Sequence, residues 1–153
     1  MDRYELLKFV HIAAAIVWIG GAVAIQFFAH LALRTGDPLR MAAFTREVEW
    51  IGKRVFTPAA LIVVVVGFVL IWDGPWSLGM DWVWISLVIF AISFAAGVGF
   101  FTPESMRIGK MIDAEGPESP AVQARIRRIL NLVRLDLVLL FAIVFLMVTK
   151  PGV

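Results

Sequence analysis

The sequence predicts an all-α integral membrane four-helix bundle, and three observations carry that prediction. Of 153 residues, 61% are apolar and 17% charged, against ~45–50% and ~25% in an ordinary soluble domain, so the composition suits a chain whose solvent is lipid. Uncharged runs recur at the lengths a helix needs to cross a hydrocarbon core, about 17–25 residues. Lys and Arg residues collect in two of the connections between those runs and avoid the third. Such a composition excludes a disordered chain, a disulfide scaffold and an ordinary cytosolic enzyme. With no Cys in the sequence there is no thiolate metal site, and the redox compartment is not legible.

The first span is predicted over about residues 5–33, since residues 9–33 carry no ionisable group except His11 and His30. That run exceeds the ~7–15 residues of a signal-peptide core, so it reads as a retained helix. Residues 55–72 and 82–102 are uncharged and predict spans two and three, over about 55–73 and 82–102. The fourth is shorter. Residues 137–149 alone would cover only ~20 Å at ~1.5 Å per residue, so a full span over 129–149 has to take Arg134 and Asp136 into its cytoplasmic end, where a long Arg reaches back to the headgroups. No internal repeat is apparent, and residues 1–153 read as one transmembrane domain.

Orientation follows from charge. The connection between spans one and two holds Arg34, Arg40, Arg46, Lys53 and Arg54; that between three and four holds Arg107, Lys110, Arg125, Arg127, Arg128 and Arg134. The 73–81 loop has none. By the positive-inside rule both termini face outward and the two basic connections face the cytoplasm. Trp72, Trp76, Trp82 and Trp84 flank the outward loop as an aromatic belt would.

Both cytoplasmic connections carry helix signals. Asp37-Pro38 reads as N-cap and first helical residue, and Met41, Phe44, Val48, Ile51 and Val55 recur at helical spacing opposite Arg40, Glu47 and Arg54. This predicts an amphipathic cytoplasmic helix that lies at the interface or runs on into span two. Pro58 marks a local kink or a fresh helix start near span two, Thr102-Pro103-Glu104 starts or bends an extension of span three that Gly116-Pro117 ends, and Ser119-Pro120 caps the last helix.

His11 is the most informative polar residue. It lies about a turn and a half into span one, and Ala14, Ala15, Trp18, Gly21, Ala22 and Gln26 stack along its side of the helix. A stripe of small residues lets neighbouring helices approach, so this face is expected to point into the bundle. An imidazole beside small side chains suits the iron of a haem, whose flat macrocycle needs empty volume next to its ligand. It equally suits a buried His bonded to a backbone carbonyl. His30 is too far to share an iron with His11, ~28 Å along the helix. A second axial ligand would come from Met147 or Lys150, or from Met80 or Asp81, with Met147 preferred because Lys150 must first lose its proton, and a five-coordinate iron is equally allowed.

His30, Arg134, Asp136, Glu104 and the Lys53-Arg54 pair are expected to form a polar network at the cytoplasmic end. Gly67, Ser93, Gly97 and Gly99 read as close-contact positions between helices. Met106 and Met111 are a weak copper signal with no Cys or His nearby. The basic connections lack the aromatic interleaving of a nucleic-acid surface, so no nucleic-acid partner is expected.

Lys8-Phe9-Val10-His11 leading to Trp18-Ile19-Gly20-Gly21, together with Lys53-Arg54-Val55-Phe56-Thr57-Pro58, Gly67 and the ending Met147-Val148-Thr149-Lys150-Pro151-Gly152, resembles a group of small bacterial membrane proteins. The group includes copper-resistance protein D, the J-type protoporphyrinogen oxidase and an uncharacterised branch of predicted integral membrane proteins, the last being nearest. The resemblance implies a multi-pass protein of the bacterial inner membrane and gives His11 the role of ligand to haem b. The oxidase's Pro-Arg and Tyr-His elements late in span one, and its Asn-Glu-Pro element before the last span, have no counterpart here. Its substrate is therefore not carried over.

The resulting expectation is a haem b site formed by His11, Ala14, Ala15, Trp18, Met147 and Lys150, with His11 on the iron and Met147 as second axial candidate. It would serve electron transfer or a haem-linked oxidation in the bilayer, with a second copy or a membrane redox partner. The competing expectation is a cofactor-free accessory subunit or a small-solute or metal permeation protein.

Overall fold

The computed structural model describes residues 2–152. Among the described residues there are four long helices and no strands: α1 (Arg3–Thr35), α2 (Pro38–Asp73), α3 (Asp81–Glu115) and α4 (Pro120–Thr149), all long and apolar enough to cross a membrane. At ~1.5 Å per residue these rods are ~45–54 Å long, well beyond a hydrocarbon core of ~30 Å. The apolar runs therefore mark only the middle of each helix. Charged residues end a hydropathic run without ending the hydrogen-bonded turn, which is why every rod exceeds its predicted span. We call the end with the termini and the 74–80 loop the terminal end, and the opposite one the connection end.

Local chemistry fixes the helix ends. Asp2 and Glu5 form a reciprocal capping box, with Asp2 Oδ1 accepting from Glu5 N at 2.7 Å and Glu5 Oε2 accepting from Asp2 N at 3.1 Å. Asp37 accepts from the amides of Leu39 and Arg40 ahead of Pro38, as its sequence context predicts. Gly36 and Gly116 end α1 and α3 with φ of +65° and +84°, conformations that cost an L side chain and suit glycine. Ser119 sits at the N-cap of α4, but its hydroxyl donates to Glu115 Oε2 at 2.9 Å and makes no capping bond.

The segment predicted as amphipathic takes one of the two courses expected for it and runs on into span two. Pro38–Ile51 continues without a break into span two, and its Met41 and Ala42 pack with Ala29, Ile108, Val122 and Ile126 in an apolar core at the connection end. Its apolar face is thereby buried against α1, α3 and α4. Ion pairs surround this core: Arg46 meets Asp113, Lys53 meets Glu49 at 2.6 Å, and the buried Glu104 takes Arg125 at 2.5 Å and Arg107 at 3.8 Å. The single polar network expected there is thus divided. His30 is exposed on α1, while Arg134 donates to Gln26 Oε1 at 3.2 Å, whose own amide donates to the Leu130 carbonyl.

Three of the four rods contain a π-helical segment: Ile16–Gly20, Gly52–Phe56 and Gly97–Phe101. Two of them have the same cause. Gly52 to Pro58 and Gly97 to Pro103 both read Gly-x-x-x-Phe-Thr-Pro, so the sequence does hold a short internal repeat. In each copy the proline has no N–H to continue the ladder, and the preceding threonine donates its hydroxyl to the glycine carbonyl, Thr57 to Gly52 at 3.1 Å and Thr102 to Gly97 at 2.9 Å. Because α2 and α3 run in opposite directions, the two copies reach the same depth, ~25–30 Å from the terminal end.

Candidate functional site

A cavity of about 430 Å³ lies between the four helices in the terminal half. His11, Ala15 and Trp18 of α1, Met147 of α4 and the following Lys150 line it; the fold thus brings five of the six predicted site residues to one cavity. Ala14 is buried but does not line the cavity. Neither Met80 nor Asp81 does.

His11 is 9% exposed, and its position depends on a residue 56 places away. A Cβ on Gly67 would stand 3.2 Å from His11 Cε1 and 3.5 Å from Nδ1, so the imidazole rests against the bare backbone of α2. The ring also approaches the Val63 backbone, yet Nδ1 is buried without a hydrogen bond of normal geometry. Trp82 Nε1 and Ser86 Oγ are likewise buried and unpartnered, and both residues line the same cavity. Two of these three groups are not evident from the sequence, where Trp82 fits an interfacial belt and Ser86 lies in an unbroken uncharged run. The seven-residue spacing of Ser86 and Ser93, two turns along one face of α3, was the available signal.

Aromatic side chains roof the cavity. Trp76 Nε1 donates to Tyr4 Oη at 2.8 Å, and Trp76 meets Trp82 edge to face at 5.3 Å. Lys150 ends α4 in a left-handed conformation, φ +43°, which is costly for lysine. There Nζ lies 4.1 Å from the Trp76 ring centre and 6.0 Å from that of Trp82. Aromatic faces attract a cation held over them, and Lys8 is placed similarly over Tyr4 at 5.8 Å. Trp72 and Trp84 are exposed on the outside, at 90% and 53%. Trp18, edge to face with Phe90 at 5.5 Å, forms the floor with Leu140, and both residues also line a second, smaller chamber on the connection side.

No cluster of three or more His, Cys, Asp or Glu occurs among the described residues. One imidazole and one thioether are too few for a bare ion, which takes three or four side-chain ligands; both are side chains that could hold an iron already carried by a macrocycle. Met106 is exposed and Met111 packs against the connection-end core.

Glycine substitutions test this geometry without any ligand. Gly67→Val is expected to displace the imidazole and lower the melting temperature of the purified protein by several degrees. Gly97→Ala and Gly99→Ala, where an added Cβ meets nothing within 4 Å, should leave it unchanged or raise it, alanine being favoured in helices by up to ~1 kcal/mol. Equal effects at all three positions would contradict the seat described for His11.

No curated protein and no solved structure shows a significant match. Residues 5–151 match a family described as predicted integral membrane protein (DUF2269), and the chain, with its four membrane-length helices, belongs to that family.

Proposed function

We propose that the terminal-half cavity binds a b-type haem with His11 as axial ligand, and that the protein serves electron transfer or a haem-linked oxidation. The observation that supports this reading is three buried polar groups, on His11, Trp82 and Ser86, left without partners on the wall of one mainly apolar cavity. Leaving such groups unsatisfied costs about 1–3 kcal/mol each, and a volume of about 430 Å³ is within the ~300–1,000 Å³ usual for ligand sites. Met147 offers a thioether to the same space. Lys8 and Lys150 offer ammonium groups at the roof that suit carboxylate side groups of the ligand. A bound haem would supply one-electron redox chemistry, tuned by its ligand and by the low polarity around it. The resemblance of the first span to the J-type oxidase, whose corresponding His is assigned to haem, supports the same role for His11.

The test is the visible spectrum of the protein purified from haem-replete cells. A Soret band with about one haem per chain is expected; a colourless preparation that also takes up no added haem overturns the reading. The charge asymmetry between the connections supports an orientation in which the cavity lies toward the outer leaflet of a bacterial inner membrane. Reporter fusions at Gly79 and Gly116 should accordingly report opposite sides, the first outside, and a result with both on one side would break the four-span topology.

A cofactor-free permeation protein is the second reading. It is favoured by the two chambers lying in line, with Trp18 and Leu140 between them, and it predicts the colourless outcome.

A further inference from the structure

The connection-side chamber has a volume of about 180 Å³, somewhat more than the ~150 Å³ of an engineered cavity that admits benzene. Its walls come from all four helices, and all three π-helical segments contribute: Trp18 from the first, Gly52 and Phe56 from the second, Gly97 and Phe101 from the third. Such segments widen a helix locally and occur often at functional sites. Here three of them surround one space at nearly one depth. The helix opposite them, α4, is regular throughout and supplies Asp136.

Asp136 is the unusual member. Two acidic residues line the chamber, Asp136 and Glu49. Glu49 of α2 is already neutralised by Lys53 at 2.6 Å. Among the described residues Asp136 forms no ion pair; Arg134, two positions earlier on the same helix, is turned to Gln26 of α1 and to Asn131. From α3, Ser93 Oγ approaches the Asp136 carboxyl without a hydrogen bond of normal geometry and is buried, 2% exposed, with no other partner. An intramembrane carboxyl lacking a counter-ion is costly to keep charged, and its position points to something positive that binds beside it. The rest of the wall states what kind. Trp18, Phe56, Phe94 and Phe101 face the same volume, and aromatic faces attract cations while accepting apolar surface.

We propose that this chamber binds a small arylalkyl ammonium ion, its ring among the aromatic side chains and its ammonium donating to Asp136 and Ser93. An inorganic cation would leave the aromatic wall unused, and a neutral hydrocarbon would leave Asp136 and Ser93 unmet. The site is separate from the His11 cavity and does not depend on haem.

The experiment compares phenethylammonium chloride with propylbenzene, its near-isosteric neutral counterpart, by thermal shift and by direct binding to the detergent-purified full chain at matched free concentrations. Saturable binding of phenethylammonium is expected, at least tenfold tighter than propylbenzene. Asp136→Asn should lose at least tenfold in phenethylammonium affinity and little in propylbenzene affinity, and His11→Ala should change neither. Equal binding of the two compounds to the unaltered chain overturns the proposal without recourse to any variant. So does full phenethylammonium affinity in Asp136→Asn, or absence of binding. The spectrum that tests haem is read independently, so failure of one site does not imply failure of the other.

Discussion

Replacing His11 with alanine is expected to abolish the Soret band while leaving the apoprotein folded. Loss of a hydrogen bond outside the ligand shell of a metal site typically costs about 10–100-fold in affinity, so removing the ligand itself should cost on the order of 100-fold or more. The fold should bear the change because the imidazole makes no hydrogen bond through Nδ1 and stands beside an existing cavity; deleting it enlarges that space and removes one unsatisfied polar atom. The decisive pair of measurements is haem content and the melting temperature of the haem-free variant. A shifted band of full intensity would assign the essential ligand elsewhere, with Met147 next to be substituted. A collapse of the haem-free variant would make His11 a structural residue. Gly67→Val should reproduce the spectral loss from the opposite helix, because it acts on the same ring.

The second large effect is expected at the connection end. Glu104 is 7% exposed and is held between Arg125 at 2.5 Å and Arg107 at 3.8 Å. Breaking a buried pair by removing one partner costs ~3–5 kcal/mol; Arg125 is itself 45% exposed, so Arg125→Ala should cost about 2 kcal/mol once solvent screening is allowed for. For a chain of this size that is a fall of roughly 4–8 °C in Tm. Adding Glu104→Gln to Arg125→Ala should restore part of the loss, since the penalty arises from the stranded carboxylate more than from the missing contact. A double variant less stable than Arg125→Ala would show that Glu104 contributes chiefly through Arg107.

Spans and caps were legible in the sequence because each rests on local chemistry. An uncharged run of 18 or more residues has few fates other than crossing a membrane, and Asp37-Pro38 or Thr35-Gly36 fixes a helix end through its own neighbours. Lengths beyond the membrane were legible only through caps and breakers: Glu104, Arg107 and Lys110 end the apolar run of α3, and it is Gly116-Pro117 that marks where the helix stops, whereas the packing of Ile108 and Ile112 into a core, which sustains that extension, shows only in the fold. The site divides along the same line. The small-residue face of α1 correctly turned His11 inward, but the pairing of His11 with Gly67 depends on the register between two helices, which no single segment encodes. Nor could the sequence show that Trp76 and Trp82 turn toward the interior while Trp72 and Trp84 turn outward. The Gly-x-x-x-Phe-Thr-Pro repeat was visible as letters. Its meaning needed the antiparallel arrangement that sets both copies at one level.

That shared level has a mechanical consequence. At this depth three rods have given up the regular ladder that resists bending, whereas α4 keeps it from Pro120 to Thr149. Compliance is thus concentrated in a single transverse plane, with one unbroken strut as its pivot. A tilt of the connection-side half about α4 would alter the spacing around Asp136 first and leave the His11–Gly67 contact, deeper in the stiff half, nearly undisturbed.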